Sequence, residues 1–285
     1  MNKEILDFYK RTSMYTDLGL YKTFAKNLTN DINELCLLQR RQIIHPVWIK
    51  LGLEQDKREK HYLRYEDEVL TSAINILNEL LRRNKEYSVN RNDKDKVFVT
   101  CRGQAILLAA ILKSKNIPAR VRSGFASYFN DDNTYGDHWI VEYYDKDWRL
   151  ADPDCYYELI DKNINPTNMN KNLFLTGAEA YIKIRDKQIN ARNIYYQSEP
   201  PIIGLKAAIR ALFYDFNCLM NNEIYFLLQP KYVLKKNYDL NDDELKELDY
   251  LANLMLEPNK NFNELKNIWG KKIKFKDMGG AFNSI

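Results

Sequence analysis

The chain has 285 residues, 45% of them hydrophobic and 29% charged, which is the composition of an ordinary globular protein and not of a disordered one. Its 43 Lys and Arg stand against 39 Asp and Glu, a net charge of only +4 without any long basic block, so nucleic acid is excluded as a main partner. The length predicts one core with helical additions, or two intimate domains.

The N-terminus, Met-Asn-Lys-Glu-Ile-Leu-Asp, has acidic residues where a signal peptide needs a basic region followed by an apolar run. The strongest apolar stretch, Ile106 to Leu112, is too short to span a bilayer. No membrane association is predicted, and the expected location is the cytoplasm. The four cysteines, Cys36, Cys101, Cys155 and Cys218, are widely spaced and form no CxxC pair. With only three histidines, neither a disulfide framework nor a Cys/His zinc site is suggested, and no metal or cofactor is expected.

In chain order, residues 1–96 read as a helical region. Asp31 to Ile44 carries Ile32, Leu35, Cys36, Leu38 and Ile43 on roughly one helix face, and Tyr65 to Leu81 repeats the pattern. The charged stretch Glu54 to Lys60 and the polar stretch Asn84 to Lys96 read as a helix end and a surface loop. From Thr100 a strong helix runs to Lys115 and stops at Asn-Ile-Pro, because Pro118 disfavours helix in the residue before it. Ala119 to Ser127, His138 to Tyr144 and Trp148 to Ala151 then read as short strands. Residues 97–160 are thus an α+β core, one helix packed on a small antiparallel sheet. Residues 161–285 return to helix, with Thr176/Glu179, Asn241/Glu244 and Asn261/Glu264 as start signals and Pro200-Pro201 before a long apolar helix, Ile202 to Leu219.

The residues that carry chemistry lie in the central segment. Cys101 follows a good N-cap residue, Thr100, so its sulfur is expected among backbone N–H groups and the positive helix end, a placement that favours thiolate. A thiolate nucleophile needs an imidazole to pair with it and to protonate the leaving group. His138 opens a predicted strand, and Asp152 closes the next one, four residues after Trp148 across a tight loop. An Asp opposite the His can accept its second ring N–H and fix the tautomer.

TCRGQAILLAAILKSKNIPARVRSGF, followed by DHWIVEYYDKDWRLADPD, resembles the core signature of the transglutaminase-like superfamily, whose core is papain-like. Cys101, Ala105, Leu107 and Leu108 match its nucleophile helix. Asn116-Ile117-Pro118-Ala119-Arg120 matches its Gly-Ile-Pro-Ala-Arg with Asn in place of Gly. His138 with Glu142, and Trp148 with Asp152-Pro153, match its last two strands. The match covers roughly residues 97–155, and the Arg-Val-Arg-Ser-Gly-Phe-Ala stretch is similar to a bacterial branch of stand-alone proteins. The chain departs from the family in having Trp139 directly after His138, and no acidic cluster has the spacing of a calcium loop.

The resemblance implies a Cys101–His138–Asp152 triad acting through a Cys thioester on a peptide-like or small amide substrate, by hydrolysis, deamidation or transamidation. The alternative is a catalytically silent module that binds peptide or protein. The fold also needs an oxyanion donor from the segment before the nucleophile helix, beside the Cys101 N–H, and Trp48 and Gln42, or Gln39, could supply it. His45 sits with Trp48 in IIHPVW at a predicted helix end, where a histidine is ordinarily packed or hydrogen-bonded. Arg120, Arg122 and Tyr128 lie on or beside the first strand, where alternation sends one face to the core and the other to solvent.

Overall fold

The structure, a computed structural model, describes residues 2–47, 66–130, 132–198 and 200–280. The charged stretch Glu54 to Lys60 and the candidate Trp48 lie outside the described residues. The chain divides into two compact units, each drawn from two segments: Met1–Val121 with Trp139–Met169, and Arg122–His138 with Asn170–Ile285.

The first unit begins with α1 (Lys3–Lys10), α2 (Lys22–Lys26) and α3 (Ile32–Gln42). Asp31 starts α3 because its carboxylate accepts the Asn33 and Glu34 N–H groups, a full N-cap. The chain then forms β1 (Ile43–Ile44), α4 (Ala73–Arg83) and β2 (Val97–Phe98), with β1 and β2 paired parallel, Ile43 opposite Val97 and Ile44 opposite Phe98. The helix expected from Tyr65 starts only at Ala73, because residues before it serve another purpose: Glu66 exchanges backbone and side-chain hydrogen bonds with Phe98.

The core of this unit is α5 (Cys101–Ser114), every residue of which is buried. It has no polar face, so the burial of Ile106, Leu107, Leu108, Ile111 and Leu112, at roughly 1.5–3 kcal/mol each, and not amphipathic patterning, holds it in place. Its end is a double hydrogen bond, Ile117 N–H to Leu112 O and Asn116 N–H to Lys113 O, both 3.0 Å, with Asn116 at φ 60°. This left-handed position is the one the usual glycine would take, and asparagine tolerates it.

Two strands pass from one unit into the other: β3 (Ala119–Ala126) and β4 (Tyr135–Asp145). In the first unit β4 forms a hairpin with β5 (Asp147–Ala151), Val141 opposite Ala151 and Tyr144 opposite Trp148, turning at Lys146 with φ 60°. The short helix α6 (Tyr156–Asp161) follows. Arg120 is here a buried structural residue: its Nε lies 2.7 Å from Glu142 Oε2, and its guanidinium stacks 4.2 Å from the Trp148 ring.

In the second unit β3 pairs antiparallel with β6 (Phe174–Thr176), and α7 (Gly177–Arg185) begins at once. β4 pairs parallel with β7 (Ile194–Tyr196), which pairs antiparallel with β8 (Ile202–Ile203). The α+β class holds, but the sheet is mixed, and residues 174–203, expected as helix, contribute three of its strands. Helix α8 (Leu205–Leu219) is buried and opens after Gly204, three residues later than Pro200-Pro201 suggest. Beyond it lie β9 (Leu228–Pro230), α9 (Lys231–Lys235), α10 (Asp242–Leu256), α11 (Phe262–Lys271) and β10 (Met278–Gly280), β10 pairing with β9.

The capping boxes predicted at Thr176 and Asn241 are both present, whereas Asn261 donates its amide to Leu254 O instead of capping α11. Arg122 makes a bidentate pair with buried Asp215, both bonds 2.8 Å, which assigns that strand position to structure. Gly177 allows α7 to approach α8: a Cβ there would lie 2.3 Å from the Ala211 carbonyl oxygen. Gly177→Ala therefore is expected to destabilise the fold by about 2–4 kcal/mol, read as a lower urea midpoint. Among the described residues no helix is long and apolar enough to cross a membrane.

Candidate active site

Cys101 is the first residue of α5, following Thr100 in extended backbone (φ −73°, ψ 177°). Thr100 stands at the N-cap, but its side chain does not cap. Its N–H and hydroxyl both donate to the Asp67 carboxylate, at 3.0 and 2.9 Å. Arg102, next after Cys101, donates from its guanidinium to Thr71 O. The turn containing Asp67 thus clamps the chain on both sides of the thiol.

Burial pushes the Asp67 carboxyl up to about 6, against the opposing pull of the Thr100 hydrogen bonds and Arg102. The folded protein then holds this proton more tightly than the unfolded chain. Its stabilising contribution is greatest at low pH and is lost as pH rises from the ordinary 3.8 through about 6. Asp67→Asn is expected to flatten that decline, by on the order of 2–3 kcal/mol across the window, in urea midpoints measured at successive pH values.

Of the four cysteines, Cys101 has 8% of its surface exposed and the others none. Burial, with the Asp152 carboxylate as second cause, pushes the Cys36 thiol well above the ordinary range, so Cys36 is inert. All four are free thiols.

The parallel pair β1–β2 decides what stands beside Cys101. Parallel strands end side by side, so the residue after Ile44, His45, emerges beside the residue after Phe98, two positions before Cys101. His45, Cys101 and Asp154 bring an imidazole nitrogen, the thiol sulfur and a carboxylate oxygen within 4.8 Å of one another. His45 Nε2 lies 3.8 Å from Asp154 Oδ2, and the Gln104 amide, one turn along α5, donates to Asp154 Oδ1 at 2.6 Å. A Cys/His/Asp cluster of this kind, with its thiol and carboxylate buried, fits a papain-like core.

This set also has the donor types of a cation site, but its histidine is in the wrong tautomer for one. The Val47 N–H donates to His45 Nδ1 at 3.1 Å, so the ring proton sits on Nε2, the atom that faces Asp154.

Asp152 is fully buried, and its Oδ1 accepts the N–H groups of Asp154 (2.9 Å) and Cys155 (3.1 Å). It therefore shapes the loop that aims Asp154, a carboxylate that the sequence reading did not single out. His138 lies within β4, three residues after its start at Tyr135 and not at the strand opening as predicted. It is 2% exposed, with the rings of Tyr128 and Phe129 standing edge-on to it at 6.2 and 5.0 Å. That contact gives Tyr128 a place beside the predicted base.

The oxyanion donors named from sequence fare differently. Gln42 donates both amide hydrogens, to Leu38 O and Ser88 O, and its Oε1 accepts from Arg91. It has no hydrogen left for an oxyanion, because the polar loop Asn84 to Lys96 folds back onto α3 and claims it. Gln39 spends an amide hydrogen on Gln104 O at 2.7 Å.

No curated protein and no solved structure matches the chain. A family model does match, over residues 61–153, a span that takes in Cys101, His138 and Asp152 as well as Asp67 and β2. That model describes the transglutaminase-like superfamily, to which residues 61–153 are therefore similar.

Proposed function

We propose that the protein is a cysteine-dependent acyl-transfer enzyme acting on a peptide-like or small amide substrate. The observation that carries this reading is the family match over residues 61–153, in which Cys101, the most exposed of the cysteines, opens a buried helix, with His45 and Asp154 from outside the match beside its thiol. In the first half-reaction the Cys101 thiolate forms a C–S bond to the amide carbonyl carbon, and the carbonyl electron pair moves to oxygen. As the oxyanion collapses, the C–N bond breaks and protonated His138 gives its proton to the leaving amine. A thioester remains on Cys101.

In the second half-reaction water or a primary amine adds to the thioester carbonyl, His138 takes the proton of the attacking group, and the thiolate leaves. Water gives hydrolysis or deamidation, and an amine gives transamidation. His138 is the base in this scheme because the Val47 N–H occupies His45 Nδ1 and the ring proton occupies Nε2, so His45 has no lone pair to offer. The Asp152 carboxylate is assigned to orient His138 on the strength of the motif it shares with the family. No metal or cofactor takes part. Four free thiols fit a reducing compartment, and the cytoplasm is the location we assign.

Stopped-flow mixing with p-nitrophenyl acetate tests the reading. The expected trace is a burst of p-nitrophenolate equal to the enzyme present, then slower turnover that a primary amine accelerates if the acceptor site admits one. A chain that binds peptides yet gives no burst is a binding module and not an enzyme.

A further inference from the structure

The geometry points to His45 Nε2–H as the second oxyanion donor of the site, working with the backbone N–H of Cys101. This rests on the acyl-transfer reading above and adds a catalytic residue to it.

Four observations carry the inference. First, the β1–β2 pairing delivers His45 to the start of α5, and its ring nitrogen, the Cys101 sulfur and the Asp154 carboxylate fall within 4.8 Å of one another. Second, the Val47 N–H to Nδ1 bond fixes the tautomer, so the atom facing the site is a donor. A donor there cannot take the thiol proton and cannot ligate a cation, which removes the roles of base and metal ligand and leaves hydrogen-bond donation. Third, Gln42 on α3 has both amide hydrogens engaged, by Leu38 O and Ser88 O, and Gln39 directs one of its own to Gln104 O. Fourth, the Asp154 carboxylate, held by Gln104, lies 3.8 Å from Nε2, and its negative charge favours a proton on that nitrogen.

An oxyanion forms when the thiolate attacks a carbonyl but not when it attacks an alkyl halide, and this difference separates a donor from a group that merely sets the thiolate. The experiment measures two rates on the full chain: the p-nitrophenyl acetate burst and Cys101 alkylation by iodoacetamide. His45→Ala is expected to slow the burst by about 10²-fold while alkylation stays within about twofold of the wild type. His45→Gln, which returns an N–H donor, should recover about tenfold of the lost burst rate.

If both rates fall together, His45 acts on the thiolate and the assignment is wrong. If neither falls, His45 is a packing residue. Unchanged alkylation reports an intact site, and should His45→Ala fail to fold, the burst and alkylation rates of His45→Gln decide alone. A wild-type chain that alkylates at Cys101 but is never acylated overturns the acyl-transfer reading, and the donor role with it. That outcome is distinct from loss of the burst in the variant alone.

Discussion

Cys101→Ala is expected to abolish the p-nitrophenyl acetate burst and to lower steady-state turnover by at least about 10⁴-fold, the scale seen when a nucleophile is removed from a working constellation. Because the Cys101 side chain is small and stands at the end of α5, which is held by its buried leucines and isoleucines, the fold should survive with little change in urea midpoint. Activity and stability are therefore expected to separate cleanly at this position. Cys36→Ala, Cys155→Ala and Cys218→Ala should show the opposite pattern: each removes a fully buried small side chain, lowers stability by about 1–2 kcal/mol and leaves the burst in place.

The second large effect is expected at His138. Removing the imidazole takes away both the partner of the thiolate and the acid that protonates the leaving group, so His138→Ala should lower turnover by about 10³-fold. It should also slow iodoacetamide alkylation at pH 6 by about 10- to 100-fold, because fewer Cys101 sulfurs are then ionised. This is where His138 and His45 part company: the His138 variant loses alkylation and acylation together, and the His45 variant loses acylation alone. His138→Gln is the control for packing, since it fills part of the space beside the Tyr128 and Phe129 rings without restoring a titratable group. It should remain as inactive as the alanine variant.

How far the sequence could be read depended on the range of the signal. The nucleophile helix was legible because its signals are local: Thr100 before it, Pro118 after it and an unbroken apolar run between. The β4–β5 hairpin was legible for the same reason, through Asp-Lys-Asp between two aromatic strands. Asn116 was read as standing in for glycine, and its φ of 60° supplies the reason.

The missed features are those made by pairing distant segments. The strands β1 and β2 have two residues each, too few to show a period of two, and they lie more than fifty residues apart. Yet their parallel register is what sets His45 beside Cys101. Asp154 was passed over because Asp152-Pro153 matched a familiar motif two residues earlier, while the structure engages Oδ1 of Asp152 with loop N–H groups and puts Asp154 at the thiol. The Thr100 side chain serves Asp67 and not the helix because a buried carboxylate offers it a stronger partner than a helix N–H would. Gln42 was a reasonable donor by position along α3, and only the fold of the Asn84 to Lys96 loop shows that its amide is already engaged.

The most direct measurement is intact-mass analysis of the chain quenched in acid during the p-nitrophenyl acetate burst, followed by peptide mapping of the modified species. The expected result is one acetyl group per chain, located on the peptide that carries Cys101, labile to hydroxylamine as a thioester and missing from Cys101→Ala. Acetyl on Cys36, Cys155 or Cys218 instead, or a burst that survives in Cys101→Ala, would contradict it.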